Sequence, residues 1–186
     1  PPDAGMLTAR TVALPGPDEP AVVFDKDGLR VTAFRVDHTP VAPAYGYRFD
    51  FGGRSVVVSG DTKPVDNLVR QSKGASVLVA EALATTIIER VSKGIAEGGN
   101  ARLGKMSHDI LEYHTSPKQA VEMARDAGVE ALVLTHLVPA PQNRIVEWLF
   151  LRGTEGIWSG DVILARDGML ISLPPNSTEF TLGEVS

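Results

Sequence analysis

The strongest constraint on the fold is Val56-Val57-Val58-Ser59-Gly60-Asp61-Thr62. Three consecutive β-branched residues leave no polar face for water, so the run predicts a strand buried on both sides. It stops at a small-residue turn that presents one carboxylate. The same grammar recurs along the chain. Residues 29–36 lead into Asp37-His38, residues 76–80 into Glu81, and residues 131–135 into His136. In open α/β sheets, ligands collect beyond the carboxyl ends of strands. The row of four strand ends is therefore the predicted site.

The remaining elements read as support. Residues 21–24 and 29–36 flank Asp25-Lys26-Asp27-Gly28, and residues 45–51 and 55–59 flank Gly52-Gly53, so two hairpins are expected. A helix is expected over 63–72 with Pro64 in its first turn, followed by a strand over 76–80. Ile87, Ile88, Val91 and Ile95 recur at helical spacing over 85–96, and a short helix over 100–113 would turn Met106, Ile110 and Leu111 inward. Ser116-Pro117-Lys118-Gln119 combines an N-cap, a proline at the first helical position and a capping-box glutamine, with Gly128 as the stop. A strand over 129–135, a helix over 142–151 and a closing hairpin of 160–165 with 169–173 complete the pattern. Residues 1–20 hold five of the thirteen prolines and read as an irregular opening segment, with residues 21–186 as one domain. Hairpins first and strand–helix units afterwards imply an α/β fold with helices packed on a mixed sheet.

Composition narrows the chemistry. The chain has 186 residues, enough for one domain with a real core. It has no cysteine, which excludes disulfides and thiolate metal sites and leaves histidine and carboxylate as ligands. A net charge of -5 argues against a broad nucleic-acid footprint. No apolar run is long enough to span a bilayer and no signal-peptide pattern opens the chain, so no membrane partner is expected. A soluble protein of cytoplasm or periplasm is the expectation. The chain opens Pro1-Pro2-Asp3 without an initiator Met, as a processed or truncated product would.

Each residue in the row has an ordinary alternative. His38 is a metal ligand or a hydrogen-bonded loop histidine; Asp61 is a ligand or a turn cap; His136 is a ligand or a satisfied core histidine. Taken together they are more telling, because imidazole nitrogen and carboxylate oxygen are what zinc and related ions accept when thiolate is absent. A carboxylate can bridge two cations, so three strand ends form half of a two-metal site. His114, just before the 116–127 helix, is a proton donor to a leaving group or a plain loop residue. Glu81 orients a histidine through its N–H or pairs with a lysine or arginine. His108 reads as surface, and Trp148, Leu149 and Phe150 as core or interface.

Asp37-His38 followed by Tyr45-Gly46-Tyr47, Ser59-Gly60-Asp61-Thr62, His114-Thr115-Ser116 and Leu134-Thr135-His136-Leu137 resembles the metallo-β-lactamase superfamily. The order is most similar to its ribonuclease Z and arylsulfatase-like branch. The resemblance implies an αββα sandwich with two divalent metal ions, usually zinc. It implies that His38 is a ligand of one ion, Asp61 the bridge and His136 a ligand of the other. It also implies that His114 stands near the scissile group and that Glu81 supports it. The superfamily's H-x-H-x-D-H motif is not in this chain, whose four histidines cannot supply it and fill the other roles. That motif lies upstream in the family, so the chain resembles the C-terminal half of the fold, with a missing N-terminal half as its expected partner.

The expected function is hydrolysis of a small anionic phospho-, sulfo- or carboxylic ester through a metal-bound hydroxide. The ribonuclease Z branch follows its last ligand with serine and a basic-aromatic pair. Leu137-Val138-Pro139 stands here instead, which with the acidic charge ranks nucleic acid below a small substrate. The alternatives are a tRNA 3′-processing-type endonuclease and a non-catalytic partner-binding half-domain, with a homo-oligomer also open.

Overall fold

The computed structural model describes residues 11–185. Of the expected opening segment, residues 1–10 lie outside the described residues, and 11–20 contain no helix or strand. From there β1 (Ala21–Lys26), β2 (Leu29–His38), β3 (Val41–Phe51) and β4 (Arg54–Val58) form an antiparallel meander. Beyond β4 come α1 (Asp66–Ser72), β5 (Val77–Leu83), α2 (Thr85–Glu97), α3 (Ala101–Asp109), α4 (Pro117–Ala127), β6 (Ala131–Val138), α5 (Arg144–Leu151) and β7 (Asp161–Leu164). Strands β1 to β7 lie side by side in sequence order in one sheet, and β4 to β7 pair in parallel. Two antiparallel steps separate β2 from β4, so β2 runs in the same direction as the parallel strands. Consequently His38, Asp61, Glu81 and His136 all arrive at one edge of the sheet.

Pleating sends alternate residues to opposite faces. Phe34, Val36, Val57, Leu78, Ala80, Leu132 and Leu134 meet Leu68 of α1, Ala120, Met123, Ala124 and Ala127 of α4, and Phe150 of α5 in the main core. Ser116 caps α4 in the expected capping box and Gly128 ends it in a left-handed turn at φ 63°. The opposite face carries Phe24, Phe49 and Phe51, which are exposed. This mixed α/β architecture supplies one helix layer and one sheet layer of an αββα sandwich.

Four details differ from the sequence expectation. Helix α1 begins at Asp66 rather than Lys63, because the Lys63 N–H donates to the Asp37 carbonyl (2.9 Å) and its ammonium reaches Asp37 Oδ2 (2.8 Å). In α2 the inward position is Ser92, 4% exposed, while Val91 is 47% exposed. The reason is α3: Gly104 approaches so closely that a Cβ there would lie 2.8 Å from Ala96 Cβ and 2.9 Å from the Ser92 carbonyl. Small residues make that contact, which leaves Met106 at 57% exposure instead of inward. The closing hairpin does not form between β7 and the next strand. Val162 and Leu164 pack on the helix-side core as β7 joins β6, and β8 (Met169–Ser172) pairs instead with β9 (Thr181–Glu184). Phe150 is core, and the exposed Trp148 and Leu149 fit the interface side of the same expectation.

Gly60 is a backbone position on which the site's geometry depends. Its φ is 63°, and a Cβ there would meet the Tyr45 carbonyl at 2.7 Å. Gly74 has nearly the same φ, 62°, but a Cβ at that position would have nothing within 4 Å. Gly74→Ala should therefore cost only the left-handed penalty, about 1–2 kcal/mol. Gly60→Ala should cost at least about 1 kcal/mol more, since the clash is with backbone. Urea unfolding of the two variants measures the difference, and equal losses would refute the steric part.

Candidate active site

Each side chain at the shared edge is aimed by local backbone bonding. The Asp37 N–H donates to Thr62 Oγ1 (3.1 Å), which ties the end of β2 to the turn after β4. The Lys63 ammonium, then the Thr39 hydroxyl and N–H, hold the Asp37 carboxyl far below the usual carboxylate range. Asp37 is thus occupied as a salt-bridge and turn residue, which leaves the neighbouring His38 to face the site. After β4, the Ser59 hydroxyl accepts the Glu81 N–H (3.1 Å) and Gly60 turns the chain outward, delivering Asp61 beyond the strand end.

His136 owes its position to an irregularity in the sheet. Glu81 pairs with Thr135 and Ala82 with Leu137, so His136 is an extra residue in the β5–β6 ladder. Its φ is 46°, a left-handed conformation that few side-chain-bearing residues adopt. A bulge of this kind re-aims a side chain that regular pleating would have sent elsewhere.

The three residues expected as metal ligands lie together. Asp61 Oδ2 is 3.8 Å from His38 Nε2 and 3.6 Å from His136 Nε2, so the carboxylate stands between the two imidazoles. Among the described residues no group of three His, Asp or Glu side chains is compact enough to hold a metal ion by itself. These donors fit a divalent cation in kind, being neutral nitrogen and carboxylate oxygen, and both nitrogens address the same oxygen. They fall short of a full set in number.

Glu81 and His114 form a second unit beside them. Glu81 is 2% exposed, and its Oε1 lies 3.0 Å from His114 Nδ1 while accepting the N–H groups of Thr62 (3.1 Å) and Thr115 (3.0 Å). Among the described residues no lysine or arginine takes that place, so the ion-pair alternative for Glu81 is not what the fold uses. The hydrogen bond that His114 donates to Glu81 raises the His114 pKa above the ordinary imidazole value; burial opposes this, and the Glu81 and Asp61 charges reinforce it. Thr115 pins the arrangement by donating its hydroxyl to the Thr62 carbonyl (2.6 Å), while its own carbonyl accepts the Leu83 N–H (2.8 Å).

The two units touch. Ring centroids of His38 and His114 are 4.9 Å apart, and those of His114 and His136 are 6.1 Å apart. Tyr113 packs 5.1 Å from both His38 and His114. In the sequence Tyr113 stands out only as the neighbour of His114; its place against two imidazoles follows from the turn before α4, which no local motif marks. His108 is exposed and lies outside this cluster.

Comparison with known proteins agrees with this picture. The beta-lactamase superfamily domain, as a family, matches residues 4–137. Ribonuclease Z of Mycobacterium avium (strain 104) is 38% identical over 146 residues, covering 78% of this chain and 48% of its own length. Among solved structures, human tRNase Z, short form, aligns with a TM-score of 0.57 at 25% identity, covering 87% of this chain and 48% of that chain. The metallo-β-lactamase fold protein YhfI from Bacillus subtilis aligns with a TM-score of 0.56 at 21% identity, covering 81% of this chain and 51% of that chain. The alignments with curated ribonuclease Z relatives take in 78–82% of this chain, which spans about half of their length. The chain belongs to the metallo-β-lactamase superfamily, in its ribonuclease Z branch.

Proposed function

We propose that this chain contributes the His38, Asp61, His136 and His114 side of a metal-dependent site that hydrolyses RNA phosphodiesters, in the manner of a tRNA 3′-processing endonuclease. The observation that carries the reading is the Asp61 carboxylate lying between two imidazoles, with the Glu81–His114 pair packed against them. The ribonuclease Z relatives favour this substrate class over the small-ester expectation drawn from charge and from Leu137-Val138-Pro139. The remaining ligands would come from a segment packed on the exposed Phe24, Phe49 and Phe51 face of the sheet.

His38, Asp61 and His136 would hold divalent ions, zinc by donor type, with Asp61 placed to serve both sides. Bound there, the ions would activate water and neutralise phosphate charge. The chain's own residues do the rest. Glu81 keeps a proton on His114 by accepting from Nδ1, which turns the ring so that Nε2 is its free donor. As the bond from phosphorus to the leaving oxygen breaks, the His114 Nε2 proton passes to that oxygen, which leaves as an alcohol. Tyr113, against both rings, limits their rotation.

The test is cleavage of a precursor tRNA carrying a 3′ trailer by this chain together with the segment that completes its ligand set, run beside a small aryl phosphodiester, an aryl sulfate and an aryl carboxylic ester, all with added zinc. RNA cleavage that weakens as salt rises is expected. His114→Ala should slow it by about 100-fold or more, the usual range for losing a general acid. Turnover of a small ester without RNA cleavage would overturn the nuclease reading in favour of the ester one.

A further inference from the structure

Next to the Glu81–His114 pair, the starts of α2 and α4 and the end of α5 enclose a cavity of about 400 Å³. Arg90, Lys118 and Arg152 line it, and no aspartate or glutamate does. In a chain of net charge -5 that is an uneven distribution. The nearest carboxylate to Lys118 is Glu122, a loose one-turn contact at 3.9 Å. Glu155, whose charge is felt by Arg152, is taken up by the Gly153 N–H (2.7 Å). Arg152 itself lies over the Trp148 ring, 5.9 Å from its centroid. Ile87, Leu149 and Phe150 add apolar carbon to the lining.

A cavity lined both by three cations and by aliphatic and aromatic carbon suits a ligand with an anionic end and a flat or apolar body. A nucleotide has both: phosphate for the cations, and base or sugar for the apolar carbon. The volume lies within the range of small-molecule sites, about 300–1,000 Å³. Its place is equally telling. Ala84, which lines it, follows β5 three residues after Glu81, and Ser116 lies two residues after His114. The Leu83 N–H to Thr115 carbonyl bond (2.8 Å) fastens those two walls together. A strand with its scissile phosphate at His114 would therefore have a neighbouring nucleotide beside this cavity.

We infer that the α2–α4–α5 cavity is a nucleotide subsite, which binds one phosphate through Arg90, Lys118 and Arg152 and seats the attached base or sugar on Ile87 and Leu149. That the nucleotide belongs to an RNA strand rests on the proposed nuclease function; that the cavity takes a nucleoside phosphate does not.

The experiment separates the two. The chain is titrated in EDTA, which isolates binding from cleavage, with AMP, followed by Trp fluorescence, and with a fluorescein-labelled single-stranded RNA of ten nucleotides, followed by anisotropy. The variant is R90A/K118A/R152A, checked for folding by circular dichroism, with Leu149→Asp as a second variant acting on the apolar lining. Weakening of both ligands by at least about tenfold in each variant is expected, since the triple variant loses charge-assisted contacts and Leu149→Asp sets a carboxylate in place of apolar carbon. For the triple variant the RNA salt slope should become shallower by about 0.7 per phosphate contact removed. AMP bound and lost in the variants, with no RNA binding by the unaltered chain, supports the subsite and overturns the nuclease reading. RNA bound equally by all three proteins overturns the subsite and leaves the nuclease reading standing. Binding of neither ligand to the unaltered chain overturns the subsite as well.

Discussion

Glu81→Ala is expected to destabilise the protein by about 3–5 kcal/mol, the range for removing one partner from a buried charged pair. Three groups lose their acceptor at once: the Thr62 N–H, the Thr115 N–H and His114 Nδ1. Glu81 and Thr115 are almost fully buried, so water does not readily replace it. Glu81→Gln keeps an acceptor oxygen and should lose less, about 1–2 kcal/mol. The two variants also differ from the unaltered chain in how stability depends on pH. Glu81 raises the folded-state pKa of His114 above its unfolded value of about 6.5. The stabilisation from this proton is fully present below the unfolded value and is lost as pH rises through the folded one. The unaltered chain should therefore lose stability over that window on going alkaline, and Glu81→Gln should lose this part of the slope. Urea unfolding at a series of pH values reads both effects. A Glu81→Ala loss under about 1 kcal/mol, no more than an ordinary hydrogen bond is worth, would mean that the buried carboxylate is not what joins the two turns.

Asp61→Ala should behave in the opposite way, leaving the fold intact and removing the chemistry. The Asp61 side chain is 42% exposed, and its neighbours in the structure are the His38 and His136 nitrogens at 3.8 and 3.6 Å. Among the described residues no buried network depends on it, so unfolding free energy should stay within about 0.5 kcal/mol of the parent, as for ordinary surface changes. Zinc affinity of the site with its ligand set completed, measured by calorimetry, should fall by more than about 100-fold, beyond the range seen when only a supporting residue of a metal site is lost. Asp61→Asn, which keeps the shape and loses the charge, should follow it. Unchanged zinc binding in both variants would remove Asp61 from the ligand set.

How much of this was legible in the chain depends on how far each feature reaches. The strand at residues 56–58 and the capping box at Ser116 are set by neighbours within a few residues, and the fold places both where the sequence predicts, although Val56 and Val58 are half-buried rather than buried. The arrival of His38, Asp61, Glu81 and His136 at one edge follows from strand direction, once two hairpins precede the parallel strands, whereas the aim of His136 depends on the bulge. The residues alone left the partner of Glu81 open between a histidine and a lysine or arginine, because it depends on a turn 33 residues away; the family resemblance is what pointed to His114. Hydrophobic spacing favours Val91 on the inward face of α2; what decides that face is the close approach of Gly104, a contact between elements. The pairing of β8 escapes the sequence for a similar reason. A short turn between two apolar runs resembles a hairpin, but the first run is already claimed by the parallel sheet.

The bulge at His136 separates two kinds of inheritance. The residues on either side of it, Thr135 and Leu137, keep their partners on β5 whatever side chain occupies the extra position, provided the backbone there can turn left-handed. Glycine and asparagine do so readily. A lineage could therefore exchange this histidine in a single step and retain an ordered sheet. Under the proposed function the fold can in this way outlive its chemistry, and the identity of residue 136 is then a sharper marker of a working descendant than overall likeness of sequence.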